Sequence, residues 1–169
     1  MKNVELKVKI DNHKDIVLQL KKIKAKKIAI LNQVDTYFNC PSGRLKLREI
    51  INKKFELIYY RRPDSAKSKV SEYYILNLDK KQSAQTTKIL SNAYGNKVVV
   101  KKRRELWMYR QTRVHLDTVS KLGIFLELET LTEKLNLSKA KIEHKEVINH
   151  LELNKFKKIQ TSYSDLLLK

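Results

Sequence analysis

Basic side chains recur at alternate positions in several segments of this chain. Lys46 stands between two leucines, and Lys102 and Arg104 are two residues apart in a run rich in valine. Arginine binds phosphate oxygens through paired hydrogen bonds, and lysine binds them as a point charge. The alternation therefore indicates a surface suited to a compact polyanion. Its candidate phosphate-binding residues are Lys7, Lys9, Arg44, Lys46, Arg48, Arg61, Lys102, Arg104 and Arg113.

Carboxylates share the same alternating faces. Glu5 lies two residues before Lys7, and Glu127 and Glu129 are spaced in the same way on a later segment. Carboxylate oxygens are hard ligands that suit Mg²⁺ or Mn²⁺. Basic groups for phosphate together with a few carboxylates for metal are the set of side chains that phosphoryl chemistry requires. The acidic candidates are Glu5, Asp117, Glu127 and Glu129.

Alternation of apolar and polar residues also predicts the β-strands that must position these side chains. We expect about eight strands, mostly antiparallel because the connections between them are short. A hairpin is expected around Arg110-Gln111. The predicted strands lie near 3–10, 34–38, 44–48, 55–62, 70–78, 98–109, 113–119 and 122–131.

Helical periodicity fills the remaining gaps and predicts three helices. The first follows Asn12 as its N-cap, the second runs over 80–93 and ends at Gly95, and the third follows Ser138. The apolar C-terminal stretch 163–168 is expected to dock on the rest of the molecule. Together with the strands, these helices indicate an α+β fold dominated by antiparallel sheet.

The charged face of the sheet has three possible interpretations. It could be a solvated surface with scattered ion pairs, which contribute little to stability. It could be a basic sheet for RNA, but Glu127 and Glu129 would repel nucleic acid there, so a nucleic-acid partner is not expected. It could also be the wet interior of a closed barrel, filled by a polyanion and divalent metals.

Composition limits the remaining classes of protein. The chain has 169 residues and a net charge of +19, and 41% of its residues are hydrophobic. This length predicts a single domain over 1–169, and no apolar run is long enough to cross a membrane. Because its one cysteine, Cys40, cannot form an internal disulfide, we expect a cytoplasmic protein with no membrane partner.

The ordered set of charged segments resembles the CYTH domain family of the triphosphate tunnel metalloenzyme superfamily, and within it the class IV adenylate cyclase-like proteins. The family opens with Glu-x-Glu-x-Lys, and the matching stretch here is Asn3-Val4-Glu5-Leu6-Lys7. Asn3 replaces the first glutamate, and Arg61 stands where a lysine is usual. The other matching segments are 35–38, 41–48, 101–106, 113–117, 123–129 and 162–168.

The resemblance implies an eight-stranded antiparallel β-barrel, closed into a tunnel with helices packed outside, that binds a triphosphate with two divalent ions, Mg²⁺ or Mn²⁺. It implies catalytic roles for Lys7, Glu5 and Glu129. The implied metal ligands are Glu5, Asp117, Glu127 and Glu129, with Asn3 as a further candidate through its amide oxygen. The implied phosphate ligands are Lys7, Lys46, Arg48, Arg61, Lys102, Arg104 and Arg113.

Several functions remain open at this point. The favoured one is a class IV-like adenylate cyclase, which converts ATP to cyclic AMP and pyrophosphate. One alternative is a triphosphatase of the same superfamily, acting on tripolyphosphate, a nucleoside triphosphate or thiamine triphosphate. Another is a non-catalytic binder of triphosphates, polyphosphate or RNA. A homodimer is kept as a candidate assembly.

Overall fold

The computed structural model describes residues 3–61 and 72–169. The strands are β1 (Asn3–Lys9), β2 (Lys26–Phe38), β3 (Arg44–Ile50), β4 (Lys54–Arg61), β5 (Glu72–Leu78), β6 (Asn96–Tyr109), β7 (Thr112–Val119) and β8 (Gly123–Leu131). The helices are α1 (Lys14–Lys22), α2 (Lys80–Tyr94), α3 (Leu137–His150) and α4 (Tyr163–Leu167), with a 3₁₀ turn at Leu153–Lys155. The first two residues of the predicted strand 70–78 lie outside the described residues.

All eight strands belong to one antiparallel sheet, in the order β1-β8-β7-β6-β2-β3-β4-β5. This confirms the α+β class and the predicted number and orientation of the strands. The predicted closure is not confirmed, because β1 and β5 are the two edges and no ladder joins them within 3–61 and 72–169. The sheet curls around a cavity instead of closing through hydrogen bonds.

The apolar core lies between the outer face of the sheet and helices α1 and α3. Strand residues such as Val8 and Leu126 pack there against Leu20 of α1 and Val147 of α3, and all four are fully buried. Because side chains alternate along a strand, placing these apolar residues outside turns the charged ones toward the cavity. The helices therefore cover the apolar face, as predicted.

The helix ends agree with the sequence only in part. The second helix ends at Gly95, as predicted, where the backbone has a φ of 73°. The first begins at Lys14, with His13 rather than Asn12 at the N-cap position. The His13 side chain makes no capping hydrogen bond, and the Asn12 side chain accepts one from the Asp15 amide at 3.2 Å. The third begins before Ser138, because the side chain of Asn136 caps it. The predicted starts of α1 and α3 were therefore wrong by one to two residues.

Strand β2 differs most from its prediction of 34–38. It begins at Lys26, and its first half pairs with the second half of β6, from Lys26 opposite Met108 onward. After Lys26 and Lys27 this part of β2 is a short apolar run, 28–31, and such a run does not by itself distinguish a strand from a helix. The long β6 strand supplies hydrogen-bonding partners, so the tertiary pairing overrides the local preference.

The stretch 163–168 docks on the sheet, as predicted, since Leu166 and Leu167 of the fourth helix pack against the buried cluster that contains Val100 and Phe125. Before this helix the chain runs along β1. The Ile159 amide donates to the Lys7 carbonyl at 2.8 Å, and Lys158 forms an isolated bridge with Val8. Ser162 then caps α4. Among the described residues, no helix combines the length and apolar character that crossing a membrane requires.

Candidate functional site

A cavity of about 710 Å³ lies inside the curled sheet. Every strand from β1 to β8 contributes at least one side chain to its walls, and Ser162 and Tyr163 of the C-terminal segment complete them. Four of the cations in the walls are only 6–8% exposed, namely Lys7, Lys46, Lys102 and Arg104. Burying so many cations requires partners, and the carboxylates of the cavity supply them.

The first group of charges, called here the Asp35 cluster, consists of Asp35, Lys46 and Arg48 on β2 and β3. Arg48 donates to both carboxylate oxygens of Asp35, at 2.7 and 2.9 Å, and Lys46 donates to one of them at 2.8 Å. Burial alone would raise the pKa of Asp35, but the two cations outweigh it and hold this pKa well below its usual range. The cluster therefore has one positive charge in excess, and both cations line the cavity.

The second group, called here the Glu127 cluster, consists of Lys7, Arg104, Asp117 and Glu127. Glu127 lies 3.0 Å from Lys7 Nζ and 2.6 Å from Arg104 Nη2. Arg104 also donates to both oxygens of Asp117, at 2.7 and 2.6 Å. Burial would raise the pKa of Glu127, but Lys7 and Arg104 hold it well below its usual value. In this cluster the carboxylates balance the cations.

Further carboxylates beside this cluster make a metal-binding arrangement possible. Glu5 and Glu129 face each other across β1 and β8, and the Arg113 guanidinium lies 3.7 Å from Glu129. Carboxylates placed directly opposite each other are stabilised by nearby cations. The side-chain oxygen of Asn3, also in the cavity wall, is buried without a hydrogen-bond partner among the described residues. Carboxylate and amide oxygens fit Mg²⁺ or Mn²⁺, so these residues could hold the divalent ions that the sequence predicts.

His115 completes this side of the cavity. One ligand atom each from His115, Glu127 and Glu129 lie within 4.8 Å of one another, which is the spacing of groups that can share a metal ion. Burial, followed by the positive charge of Arg104, lowers the pKa of His115 to about 4. The imidazole is therefore neutral at pH 7, which is the form that binds metal.

Lys102 lies between the two clusters and has an altered proton affinity. Burial, together with the charge of Arg104, lowers the pKa of Lys102 to about 7. Asp117 and Asp35 act in the opposite direction. This lysine is therefore only partly charged near neutral pH.

The structure brings most of the predicted site residues to the cavity wall. Four of the predicted residues do not line it. Lys9 is exposed, Arg44 pairs with Asp165 at 2.9 Å, and Arg61 donates to the Tyr59 hydroxyl at 3.0 Å. Asp117 is fully buried behind Arg104 and accepts a further hydrogen bond from the Tyr163 hydroxyl at 3.0 Å. The residues that do line it are Asn3, Glu5, Lys7, Lys46, Arg48, Lys102, Arg104, Arg113, Glu127 and Glu129.

Sequence reasoning overlooked Asp35, although it is the centre of one ion cluster. Asp35 lies within the predicted strand 34–38, and its alternation with Tyr37 was the available signal, since Gln33, Asp35 and Tyr37 all line the cavity. Tyr163 gave no alternation signal because it lies on a short C-terminal helix. It reaches the cavity only through the docking of that segment on β1.

Comparisons with known proteins agree with this architecture. The CYTH domain family profile matches residues 1–163. The chain is 34% identical over 179 residues to "Putative adenylate cyclase MJ0240" of Methanocaldococcus jannaschii, covering 98% of each protein.

Solved structures show the same fold. The PH1012 protein from Pyrococcus horikoshii OT3 superposes with a TM-score of 0.81 at 26% identity, covering 97% of this chain and 98% of that one. The "Putative adenylyl cyclase HpAC1" from Hippeastrum, described as having a dominant triphosphatase activity, superposes with a TM-score of 0.71 at 13% identity, covering 98% of this chain and 95% of that one. On its sequence match and on its fold, the chain belongs to the CYTH domain family.

Proposed function

We propose that the protein is a metal-dependent enzyme that converts ATP to cyclic AMP and pyrophosphate in the cavity of the sheet. The observation that carries this proposal is that one cavity combines buried cations, a group of carboxylates and an apolar wall. A triphosphate, its metal and a nucleobase each need one of these three surfaces.

The triphosphate is assigned to the cations of the two clusters. Lys46 and Arg48 reach the cavity from one side, and Lys7 and Arg104 reach it from the other. In the free protein each of these cations is paired with a carboxylate at 2.6–3.0 Å. Phosphate oxygens would replace the carboxylates as partners, so the buried cations never lose their counter-charge.

The metal is assigned to the carboxylates on β1 and β8. Glu5, Glu127 and Glu129 would hold it, with Asn3 as a further oxygen donor, and Asp117 would act from behind Arg104. A bound divalent ion supplies charge neutralisation on the phosphate oxygens and lowers the pKa of an attacking hydroxyl. The chain itself contributes the orientation of these groups on rigid, paired strands.

In the proposed reaction the ribose 3′-oxygen attacks the α-phosphorus. The new O–P bond forms as the bond from the α-phosphorus to the bridging oxygen breaks, and pyrophosphate leaves with that electron pair. The hydroxyl proton passes to a carboxylate on the metal side, where Glu5 and Glu129 face each other. Lys7 stabilises the negative charge that accumulates on the phosphate oxygens.

An apolar wall favours a nucleotide over an inorganic substrate. Ile28, Leu31, Leu106 and Met108 line the same cavity as the charged residues. A purine needs an apolar surface for its faces, whereas tripolyphosphate would leave this wall in contact with water. We therefore assign the adenine to it.

The second candidate is a triphosphatase, in which water attacks the terminal phosphorus. The bond from that phosphorus to the bridging oxygen breaks, ADP or pyrophosphate leaves with the electron pair, and orthophosphate is formed. The triphosphatase activity described for HpAC1, which shares the fold, supports it. The same cations and carboxylates would serve this reaction, because only the attacking oxygen and the phosphorus it attacks differ.

One product assay separates the two candidates. The protein is incubated with ATP or tripolyphosphate and with Mg²⁺ or Mn²⁺, and products are followed by ³¹P NMR and chromatography of the nucleotide. A cyclase yields cyclic AMP and pyrophosphate in equal amounts. Orthophosphate and ADP, with faster turnover of tripolyphosphate than of ATP, would defeat the cyclase assignment and establish the triphosphatase.

A further inference from the structure

His115 is a buried histidine whose surroundings do not explain its burial. It lies on β7, directly opposite Glu127 of β8, and is only 4% exposed. Its Nδ1 atom is buried and has no hydrogen-bond partner among the described residues. Buried polar side-chain atoms are nearly always hydrogen-bonded, so an unpartnered ring nitrogen in a cavity wall suggests a ligand.

The distance to the neighbouring carboxylate is informative. His115 Nδ1 lies 3.7 Å from Glu129 Oε1, which is too long for a hydrogen bond. Two atoms bound to the same small divalent metal, each at about 2.1 Å, can lie at this separation from one another. One Glu127 oxygen completes a group of three ligand atoms that lie within 4.8 Å of one another.

The strand geometry fixes these three residues relative to one another. Glu127 and Glu129 are two residues apart on β8, so both side chains point to the cavity, and β7 brings His115 beside them. Ligands held on paired strands keep their spacing better than ligands on loops. The three ligand atoms are therefore close together before a metal binds, and at that stage Glu127 is also paired with Lys7 and Arg104.

The chemistry of the set differs from a site made only of oxygens. Mg²⁺ prefers oxygen ligands and gives up its water reluctantly. An imidazole nitrogen suits first-row transition metals, and carboxylates suit Mn²⁺ as well as Mg²⁺. A nitrogen beside two carboxylates therefore discriminates against Mg²⁺ and still accepts Mn²⁺.

We propose that His115 is a nitrogen ligand of the divalent cation held by Glu127 and Glu129, and that it makes the site select Mn²⁺ over Mg²⁺. This proposal depends on the proposed function in one respect, namely that the cation bound here is the one that the reaction uses. It adds a ligand type that the carboxylates alone do not provide.

Metal binding without any nucleotide tests this assignment directly. Mn²⁺ and Mg²⁺ are titrated separately into the full chain by calorimetry, and the variant is His115→Gln, whose amide offers no imidazole nitrogen. We expect the affinity for Mn²⁺ to fall roughly ten- to a hundredfold, and the affinity for Mg²⁺ to change much less. His144→Gln is the matched control, because it removes another buried histidine. His144 lies on α3 and its Nδ1 atom is already hydrogen-bonded to the Thr130 hydroxyl of β8 at 2.9 Å.

Pulsed EPR of bound Mn²⁺ gives a second readout, independent of affinity and of activity. The wild type and the His144→Gln variant should show nitrogen coupling to the ion, which changes when the protein is made with ¹⁵N-histidine. The His115→Gln variant should not. Circular dichroism and thermal unfolding establish that each variant is folded.

The outcomes separate this inference from the proposed function. Nitrogen coupling that persists in His115→Gln, or an unchanged ratio of Mn²⁺ to Mg²⁺ affinity, would overturn the ligand assignment even if ATP is turned over. A nitrogen-coupled Mn²⁺ in a protein that turns over neither ATP nor tripolyphosphate would uphold the ligand and defeat the enzyme.

Discussion

The two ion clusters of the cavity contain the same kinds of side chain but differ in their balance of charge. In the Asp35 cluster a single carboxylate accepts hydrogen bonds from both a lysine and an arginine, and no oxygen of that carboxylate is left without a cation. In the Glu127 cluster two carboxylates share two cations, and Glu5 and Glu129 add further negative charge nearby.

This difference assigns opposite tasks to the two sides. The Asp35 cluster has excess positive charge, and we propose that it binds phosphate. The side around Glu127 has carboxylates enough to neutralise its own cations and to bind a metal as well. A triphosphate that bridges the cavity would take cations from Glu127 and so free that carboxylate for the metal. Substrate and metal should therefore bind cooperatively.

The largest effect is expected from removing the carboxylates of the metal side. In the Glu127→Gln, Glu129→Gln double variant, turnover of the triphosphate should fall by about a thousandfold or more, because charge stabilisation in the transition state is lost. Tripolyphosphate should bind as well as before or more tightly, since two negative charges are gone. Initial rates and calorimetric titration measure the two quantities.

A Glu146→Gln, Glu152→Gln double variant is the control for this experiment. It makes the same change of charge at positions outside the cavity wall, and it should retain full turnover. Equal turnover in the cavity variant and in this control would mean that the metal side has no part in catalysis. Absence of turnover in the wild type, with tight binding of tripolyphosphate, would identify a non-catalytic binder.

A smaller effect, on stability, is expected from the other cluster. Asp35→Asn leaves Lys46 and Arg48 without their shared counter-charge, and breaking a buried ion pair in this way costs about 3 kcal/mol. The loss should be seen in urea unfolding at neutral pH. Added tripolyphosphate should stabilise the variant more than the wild type, because phosphate oxygens replace the missing carboxylate.

The exposed Asp11 provides the control for Asp35. Asp11→Asn should change neither the free energy of unfolding nor its response to tripolyphosphate. The assignment of the Asp35 cluster to phosphate would be wrong if Asp35→Asn were destabilised but tripolyphosphate stabilised it no more than the wild type.

The sequence predicted the sheet and most of the cavity, and its failures have physical causes. Alternation placed Lys46, Lys102 and Glu127 correctly, because in a strand the direction of a side chain follows from its parity. Parity does not say where the cavity ends, so Lys9, at the end of its strand, was predicted inside and is exposed. It also does not reveal pairing between distant strands, and for that reason the first half of β2 was missed.

Closure of the barrel is a different kind of prediction, and it is not confirmed among the described residues. The resemblance implied it, but whether the two edge strands meet depends on the curvature of the whole sheet rather than on any local pattern. The charges still converge, since a strongly curled open sheet also encloses a cavity. Convergence of the site therefore follows from alternation and curl, and does not need a closed ladder.

The smallest expected effect concerns Lys102, where the two clusters meet. The pKa of Lys102 in the folded protein, about 7, lies below the 10.5 of an unfolded lysine. Between these two pH values the unfolded chain holds one more proton than the folded one. The contribution of Lys102 to the free energy of unfolding therefore rises with pH across that window. A bound triphosphate favours the charged ammonium, so tripolyphosphate binding at pH 8 should take up a fraction of a proton. Calorimetry in buffers with different ionisation enthalpies measures this uptake. Lys102→Met should reduce this uptake, and Lys101→Met, on the exposed face, should leave it unchanged. Equal proton uptake in both variants would mean that another group binds the proton.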